Sequence, residues 1–457
     1  MSTDLQNTIT QEMQQLDQAH LWHPLTQHQP YQMGVAPLII TGGSRCTVKD
    51  MNGKEYLDVA AGLWCVNVGY GRDEIAYAAL EQMQTLAYYP LTQSHPKAIR
   101  LGAKLAEYLP NNPHVYFSNS GSEANETAFK MVRQYWRQKG FASKYKIISR
   151  HRGYHGSTLG ALSATGQSER TRDYEPLVPG FSQAAAPYCF RCSFHMEYPT
   201  CQMQCAEDFE RRIQIEGAEN VAAIIVEPIT AGGGVLVPPV DYLRRVREIA
   251  DKYHLLLIVD EVVTGFGRTG AMFAHTDYGV RADVVTMAKG LASGYMPIGA
   301  TAVSDAIFEA FLGEPESGTH LRHVNTFSGH PVACAVALKN LEIIEREDLV
   351  SHSRRMGEYL IAQLQSRLAA HRMVGNIRGR GLLVGVEIVD AIDGSPVRDA
   401  TMKSVAASLV NRGILAGKTT DIEAGHNNVL IFAPPLIITE SEIDCLCDAV
   451  KSALSQI

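Results

Sequence analysis

Short apolar runs recur along the middle of the chain, separated by polar stretches with helical spacing. We predict that these runs are strands, covering residues 114–118, 146–149, 221–226, 255–259, 284–287 and 298–303. Most of them are continuously apolar rather than alternating, which is typical of strands buried on both faces of a parallel sheet. Between them, residues 241–254 place apolar side chains at helical intervals. The pattern predicts an α/β fold with a mostly parallel central sheet.

After about residue 330 the pattern changes. Residues 331–349 predict one long helix, a further helix follows, and short strands are predicted around 381–387 and 429–432. This predicts a smaller α+β domain. We therefore divide the chain into an N-terminal segment (1–60) that packs with the small domain, a large domain (61–329) and a C-terminal small domain (330–457).

The composition is that of an ordinary globular protein, with 46% hydrophobic and 19% charged residues in a chain of 457. The formal net charge is −7 and there are no basic blocks, which argues against nucleic acid or an anionic membrane as a partner. We expect neither a secretory signal nor a membrane helix, because the N-terminus is polar and no apolar run approaches about 18 residues. The odd count of nine cysteines suits free thiols, which predicts a cytoplasmic protein.

Lys289 and Asp260 each lie at the end of a predicted buried strand, 29 positions apart. An amine and a carboxylate in such places fit pyridoxal phosphate, whose aldehyde forms a Schiff base with a lysine and whose ring nitrogen pairs with an acid. Taken singly, each residue is better interpreted as a surface lysine or a helix-capping aspartate. The neighbouring motifs favour the cofactor.

Small and polar residues follow other predicted strands. Gly121 and Ser122 come after residues 114–118, where a helix N-terminus would cradle a phosphate, although an ordinary helix cap accounts for them equally well. Tyr154 precedes a histidine and a glycine and can stack on a ring, although core packing is the commoner role of a tyrosine. Glu227, like Asp260, ends a strand and is predicted to point into the crevice where α/β sheets bind ligands.

In this order, these motifs resemble the class III, fold-type I pyridoxal-phosphate aminotransferases. The resemblance covers nearly the whole chain, from HLWHPLTQH at residues 20–28 to APPL at 433–436, and its most specific part is DEVVTGFGRTG at 260–270 followed by AKGLASGYMPIGA at 288–300. It implies a large domain with a mostly parallel sheet, a smaller α+β domain and a transaminase activity. A non-catalytic homologue is disfavoured because Lys289, Asp260 and Tyr154 are all present.

The resemblance also implies roles for the motif residues. Lys289 is expected to carry the cofactor as a Schiff base and to shuttle a proton during the reaction. Asp260 is expected to pair with the ring nitrogen, with Glu227 nearby. The remaining implied contacts are stacking of Tyr154 on one ring face, packing of Val262 on the other, and phosphate binding by Gly121 and Ser122.

Three further positions match the family near the mouth of its site. Thr326 is expected to bind the cofactor phosphate of a neighbouring subunit, which implies a homodimer with shared active sites. Whether two such dimers form a tetramer is left open. Trp22 and Trp64 match positions that line the substrate entrance.

A departure from the commonest family pattern bears on the substrate. Gly417 stands where many ω-transaminases of this class have an arginine that clamps a carboxylate. The adjacent Lys418 is a candidate cation for binding the substrate, with a solvated loop lysine as the equal alternative.

This variant and the cysteines below resemble the taurine–pyruvate aminotransferase branch. It implies ping-pong transfer from an ω-amino donor to pyruvate, with taurine first and β-alanine, hypotaurine and diamines behind it. A broad amine or diamine–pyruvate transaminase and an aminomutase are the alternatives.

Four of the cysteines are clustered. Cys189 with Cys192 and Cys201 with Cys205 form two pairs whose spacing suits a structural zinc ion or an iron–sulfur cluster. The alternatives are a thiol-rich surface insertion and a single disulfide.

Overall fold

The structure is a computed structural model and describes residues 3–457 of the chain. Its strands are β1 (Ile40–Ser44), β2 (Thr47–Asp50), β3 (Glu55–Asp58), β4 (His114–Ser118), β5 (Lys146–Arg150), β6 (Phe181–Ala184), β7 (Val221–Val226), β8 (Leu256–Asp260), β9 (Val284–Met287), β10 (Gly299–Val303), β11 (Val374–Arg380), β12 (Leu383–Ile388), β13 (Ile414–Leu415), β14 (Gly417–Lys418) and β15 (Val429–Phe432).

The helices connect these strands and cover the sheets. They are α1 (Thr3–His20), α2 (Gln29–Gln32), α3 (Ala61–Trp64), α4 (Asp73–Thr85), α5 (Pro96–Tyr108), α6 (Gly121–Gln138), α7 (Leu159–Ala164), α8 (Ser168–Thr171), α9 (Gln204–Glu216), α10 (Tyr242–Lys252), α11 (Ala274–Asp277), α12 (Asp305–Glu309), α13 (Pro331–Arg346), α14 (Leu349–Leu368), α15 (Asp399–Asn411) and α16 (Glu440–Leu454).

The central sheet has seven strands in the order β4-β10-β9-β8-β7-β5-β6. The strands β6, β5, β7, β8 and β9 pair in parallel, whereas β10 runs antiparallel to both β4 and β9. The predicted mostly parallel α/β sheet is therefore confirmed, with β10 as its reversed strand. All residues of β7, β8, β9 and β10 are buried, which agrees with their continuously apolar sequences.

Two smaller sheets flank the central one. The N-terminal hairpins form a sheet in the order β1-β2-β3-β13, in which β13 from the C-terminal part pairs in parallel with β3. The other has the order β11-β12-β15-β14. Residues 40–58 thus share a sheet with residues 414–415, while the boundaries proposed at residues 60 and 329 stay a prediction.

The long helix predicted over residues 331–349 is confirmed as α13, three residues shorter than predicted, and the predicted further helix is α14. The helix α13 ends at Arg346, and Asp348 adopts a left-handed backbone with φ of 48° immediately before α14 begins. An aspartate tolerates this conformation better than most side chains, so the chain turns there without a glycine or a proline. Sequence periodicity alone does not mark such a turn.

Within residues 3–457 none of the helices combines the length and the apolar composition needed to cross a membrane. The cytoplasmic location stays a prediction.

Candidate active site

A cavity of about 340 Å³ opens at the carboxyl edge of the central sheet. Parallel strands end at the same edge, so the segments that follow β4, β5, β7, β8 and β9 converge there. The cavity is lined by most of the residues singled out in the sequence: Trp64, Gly121, Ser122, Tyr154, Glu227, Asp260, Val262 and Lys289. The topology thus brings together side chains that lie up to 225 positions apart, the interval from Trp64 to Lys289.

Lys289 comes two residues after β9 and begins a short 3-10 turn. Its backbone is left-handed, with φ of 45°, and so is that of Trp64, with φ of 59°. Nζ of Lys289 lies 5.4 Å from the centre of the Trp64 ring. Such conformations cost about 1–3 kcal/mol each in residues other than glycine and are concentrated at functional sites. The surrounding structure maintains these two conformations and so keeps the amine and the indole at the cavity wall.

Asp260 ends β8 and is 3% exposed. Its Oδ2 accepts a hydrogen bond from Nδ2 of Asn125 at 2.8 Å and lies 2.9 Å from Nδ1 of His155. Its Oδ1 accepts from the backbone N–H of Val262 at 3.0 Å. The hydroxyl of Thr286 donates to Oδ1 of Asn125 at 2.8 Å, which turns the amide nitrogen of Asn125 toward Asp260. The carboxylate is therefore fixed in position by its neighbours.

Glu227 follows β7 and is also buried. Its two carboxylate oxygens accept hydrogen bonds from the backbone N–H groups of Tyr154 and Ala231, each at 3.1 Å. Burial raises the pKa of Glu227, against the opposing effect of His155 and Arg150. The side chain thereby ties the Tyr154 segment to the end of β7.

The start of α6 forms a tight cradle. A Cβ at Gly121 would lie 2.9 Å from Cγ1 of Val262, and a Cβ at Gly156 would lie 2.6 Å from Oγ of Ser122. The Ser122 hydroxyl accepts from the backbone N–H of Ser157 at 3.1 Å. An 18-residue helix begins here, so its free N–H groups and positive dipole end face the cavity. Only small residues leave room for an anion this close to the backbone.

Comparison with known proteins decides what kind of site this is. The sequence profile of the class-III aminotransferases matches residues 29–454. The chain belongs to the class-III aminotransferases. An uncharacterized aminotransferase of Bacillus subtilis, YhxA, is 47% identical over 98% of this chain and 97% of its own length. The taurine–pyruvate aminotransferase of Bilophila wadsworthia is 41% identical over the same shares of the two chains.

The fold agrees with this assignment. The crystal structure of a Bacillus anthracis aminotransferase is 44% identical to this chain, covers 100% of both chains and superposes with a TM-score of 0.94. The fold-type I architecture predicted from the sequence is confirmed, and so is the resemblance to this family.

Class-III aminotransferases use pyridoxal phosphate, and the cavity fits that group. It offers an amine at Lys289, a fixed carboxylate at Asp260, an aromatic side chain at Tyr154, and the cradle of Gly121 and Ser122 for a phosphate. The buried Nε2 of His155 has no hydrogen-bond partner within the described residues, so the ring is held through Nδ1 against Asp260. The cavity therefore has a suitable partner for each part of the cofactor: an amine for the aldehyde, a carboxylate for the ring nitrogen, and a helix N-terminus for the phosphate.

Two predicted residues do not line this cavity. The side chain of Trp22 is 90% exposed and contacts His28 edge-on, with 6.0 Å between ring centres. Thr326 is exposed, and its carbonyl accepts a hydrogen bond from the Tyr88 hydroxyl at 2.7 Å. Because the expectation for Thr326 concerns a second copy of the chain, it stays a prediction.

Gly417 and Lys418 face opposite sides of β14. A Cβ at Gly417 would lie 3.4 Å from Nε1 of Trp64, so this position faces the active site. Lys418 pairs with Leu430, which is buried in the main hydrophobic core, rather than with Ile431, which packs near Trp64. The strand alternation therefore turns the lysine away from the cavity, and burial lowers its pKa. Lys418 is therefore not among the residues that line this cavity.

Sequence reasoning missed four residues that contact the predicted site residues or their neighbours: Asn125, His155, Arg170 and Thr286. Asn125 and His155 lie close along the chain to predicted site residues, but nothing in one sequence shows that both side chains meet Asp260. Arg170 lies in α8, and its guanidinium carbon is 5.5 Å from the centre of the Tyr154 ring. Its neighbours along the chain are polar and give no signal of a site.

The four clustered cysteines line one small cavity of about 20 Å³. No three histidine, cysteine or acidic side chains in the described part of the chain are grouped as a metal ion requires. All nine cysteines are free thiols, and burial, with the nearby Cys189, raises the pKa of Cys205 to about 12. The structure does not support the predicted zinc or iron–sulfur site, because the thiols converge without forming a ligand set. It also contains no disulfide among the described residues, which leaves a thiol-rich insertion.

Proposed function

We propose that this class-III aminotransferase moves an amino group from an ω-amino donor to pyruvate, giving an aldehyde and L-alanine by ping-pong transfer. Taurine is the first donor we would test, followed by related ω-amino acids. The observation that carries this proposal is the position of Arg170 beside Tyr154, at the mouth of the cavity that contains Lys289 and Asp260. The full-length similarity to a taurine–pyruvate aminotransferase supports it.

A sulfonate or carboxylate needs a cation in the site. Gly417 provides none, and Lys418 faces the other side of its strand. Nε of Arg170 donates to Oε1 of Gln167 at 2.8 Å, and Nη2 donates to the carbonyl of Thr420 at 3.0 Å. These bonds hold the guanidinium over Tyr154, and Nη1 has no hydrogen bond within the described residues. We infer that Nη1 and the exposed edge of the group bind the acidic end of donor and acceptor in turn.

The reaction centre needs a base that moves one proton. When bound, the cofactor supplies the electron sink that stabilises negative charge on the carbon bearing the amine. Nζ of Lys289 takes the proton from that carbon of the donor and returns a proton to the acceptor. Asp260, fixed by Asn125 and His155, holds the far end of the ring system in register with the lysine.

A second candidate is a broad amine or diamine–pyruvate transaminase. The carboxylates of Glu169, Asp173 and Asp421 line a cavity of about 350 Å³ that also contacts Tyr154 and Arg170. Acidic side chains at this entrance suit the distal ammonium of a diamine. An aminomutase on the same scaffold is the remaining alternative, since a fold does not fix the reaction.

A half-reaction experiment separates these candidates. The holoenzyme is mixed with taurine, β-alanine, putrescine or alanine without an acceptor, and the absorbance of the lysine-bound cofactor is followed. We expect rapid loss of this absorbance with taurine and alanine, and little with putrescine. Faster loss with putrescine than with taurine would contradict the ω-amino acid proposal. A transaminase releases at most one product per active site without a keto acid, so more than one product per site would favour the aminomutase.

We also propose a homodimer with shared active sites. Thr326 lies in an exposed apolar segment, where the side chains of Val324 and Phe327 are 73% and 58% exposed. Such residues suit an interface better than solvent. Light scattering coupled to size exclusion should give at least twice the chain mass of 50.1 kDa. A monomer that is fully active would contradict the proposal, and four times the chain mass would indicate a tetramer.

A further inference from the structure

A second cavity, of about 610 Å³, lies outside the active site. One wall is α9, another is the segment that follows β5, and a third is the loop at residues 422–426. We call it the arginine cavity because its lining includes six basic side chains: His151, Arg152, Arg191, Arg211, Arg212 and His426. Its volume is in the range of about 300–1,000 Å³ that is typical of small-molecule sites.

Two of these arginines are neutralised by close acidic partners. Nε of Arg211 lies 3.1 Å from Oδ1 of Asp208, and Nε of Arg191 lies 2.7 Å from Oε1 of Glu387. Glu387 is fully buried and also bonds Arg378. The two carboxylates offset the charge of Arg211 and Arg191, which therefore contribute little free positive charge to the cavity.

Arg212 and Arg152 are different. Within the described residues Arg212 makes no hydrogen bond or ion pair, and its Nε is buried without a partner. Arg152 is 7% exposed, and its two terminal nitrogens make only long contacts of 3.5 Å, to Oε2 of Glu423 and to the carbonyl of His426. Burying a guanidinium with incomplete partners is costly. An anion in the cavity would remove that cost for both groups.

The remaining lining adds neutral donors. Ser168 and Ser193 place hydroxyl groups on the wall. Burial, and next the nearby Arg212, lower the pKa of His151, so that ring adds a hydrogen-bonding group rather than a second charge near neutral pH. Two arginine forks with hydroxyl donors match the oxygens of a phosphate group, which accept several hydrogen bonds at once.

We propose that the arginine cavity binds a small phosphate-bearing anion between Arg152 and Arg212, separate from the cofactor phosphate. The ligand is either free phosphate or a phosphate monoester, and both present the same group to the arginines.

This site is connected to the entrance of the active site by one loop. Ile422, Glu423 and His426 line the arginine cavity, whereas Thr420 accepts the hydrogen bond of Arg170 and Asp421 lines the entrance cavity. An anion that binds Arg152 in place of Glu423 would remove one of the contacts that position this loop. Occupancy is therefore expected to change the KM of the acceptor more than kcat, and this kinetic part rests on the function proposed above for Arg170.

The binding part is tested first, by isothermal titration of the holoenzyme with inorganic phosphate and, separately, with glycerol 3-phosphate. Sodium chloride of equal ionic strength is the blank, and unchanged cofactor absorbance shows that the active site is not the one being titrated. We expect one saturable site per chain. Similar affinities for the two probes identify free phosphate as the ligand, whereas tighter binding of the monoester identifies a phosphorylated metabolite.

The decisive variant is Arg212→Gln, which should weaken binding at least about tenfold, the equivalent of about 1.4 kcal/mol. Arg172→Gln is the matched control, because that arginine is 64% exposed and lies outside the cavity, and it should bind like the wild type. Circular dichroism and cofactor content verify that both variants fold. Absence of saturable binding in the wild type, or unchanged binding in Arg212→Gln, would overturn the proposal. Loss of binding with no change in acceptor KM would remove only the coupling to the active site.

Discussion

Oδ2 of Asp260 lies 2.9 Å from Nδ1 of His155, and the side chains of both residues are buried to at least 96%. The same oxygen accepts the amide hydrogen of Asn125. One carboxylate oxygen thus has two side-chain neighbours, and the other has the backbone N–H of Val262. These contacts fix the orientation of the carboxylate before the cofactor binds. Replacing one of its oxygens by a nitrogen is therefore expected to disturb them.

We expect Asp260→Asn to lower kcat by about 10²–10⁴-fold, the range for a positioned group that controls protonation in the reaction. The amide removes the negative charge beside the ring nitrogen. If its nitrogen occupies the place of Oδ2, it also opposes the donor of Asn125. Steady-state rates with cofactor content measured for the same sample provide the test.

Asp305→Asn is the control for this change. That aspartate is exposed and bonds His114 at 2.9 Å, far from the cavity lining. It should retain wild-type kcat. If Asp260→Asn also kept wild-type kcat with full cofactor content, the role assigned to Asp260 would be wrong.

Arg170→Gln should raise the KM for pyruvate by about 10–100-fold with a smaller effect on kcat. A hydrogen bond to a charged group is worth about 1.5–3 kcal/mol, and glutamine keeps polarity while removing the charge. An uncharged amine donor should be affected much less than taurine. The comparison of acidic and uncharged substrates separates loss of binding from general damage to α8.

Lys418→Gln is the matched control, because Lys418 and Arg170 are the two cations considered for binding the acidic group of the substrate. Its side chain faces away from Trp64, so the KM for pyruvate should be unchanged. An increased KM in Lys418→Gln together with an unchanged KM in Arg170→Gln would reverse our assignment of the acid-binding cation.

The sequence predicted six of the seven strands of the central sheet, without β6, and the site residues that follow those strands. The strands 114–118, 221–226 and 284–287 match β4, β7 and β9 residue for residue, because short apolar runs bounded by polar residues favour buried strands over helices. Lys289 and Asp260 could be found because they end such runs. Arg170 could not, since its contact with Tyr154 depends on the path of the chain between Tyr154 and α8. The sequence also could not show which side of its strand Lys418 lies on, because this depends on the pairing of β14 with β15.

Glu227 predicts a pH dependence of stability. Burial raises its pKa above the ordinary value of 4.5. As pH rises past that value the unfolded chain loses the proton while the folded protein keeps it, so the free energy of unfolding falls with rising pH until the folded pKa is reached. A difference of one between the folded and unfolded pKa values corresponds to about 1.4 kcal/mol.

Replacing Glu227 by Gln should therefore flatten the fall in the free energy of unfolding as the pH rises above about 4.5, measured by urea titration. Glu219→Gln, at an exposed position, should keep the wild-type slope. Only the slope is diagnostic, because Tyr154 and Ala231 donate to different oxygens of Glu227, and the glutamine NH2 group that replaces one of them cannot accept a hydrogen bond. An unchanged slope in Glu227→Gln would show that the titration of this carboxyl does not contribute to the pH dependence of stability.

The close packing around Gly357 leaves no room for a side chain at this position of the small domain. Gly357 lies inside α14, and a Cβ there would be 2.1 Å from the carbonyl oxygen of Gly381 and 2.6 Å from its Cα. The neighbouring backbone has little freedom to move, because Gly381 itself has φ of 54° and a Cβ on it would be 2.4 Å from the backbone of Thr269. The buried Arg268 also holds the adjacent carbonyl of Leu382 at 3.0 Å.

We therefore expect Gly357→Ala to lower the free energy of unfolding by about 3 kcal/mol or more, at the upper end for overpacked sites. Gly102→Ala is the matched control, since Gly102 is also inside a helix and a Cβ there meets nothing within 4 Å. That change should be neutral or stabilising by up to about 1 kcal/mol, the helix propensity of alanine over glycine. Urea titrations of both variants at one protein concentration test this. Equal stability of the two variants would mean that α14 can move away from the β11–β12 turn, which the hydrogen bonds of Arg268 oppose.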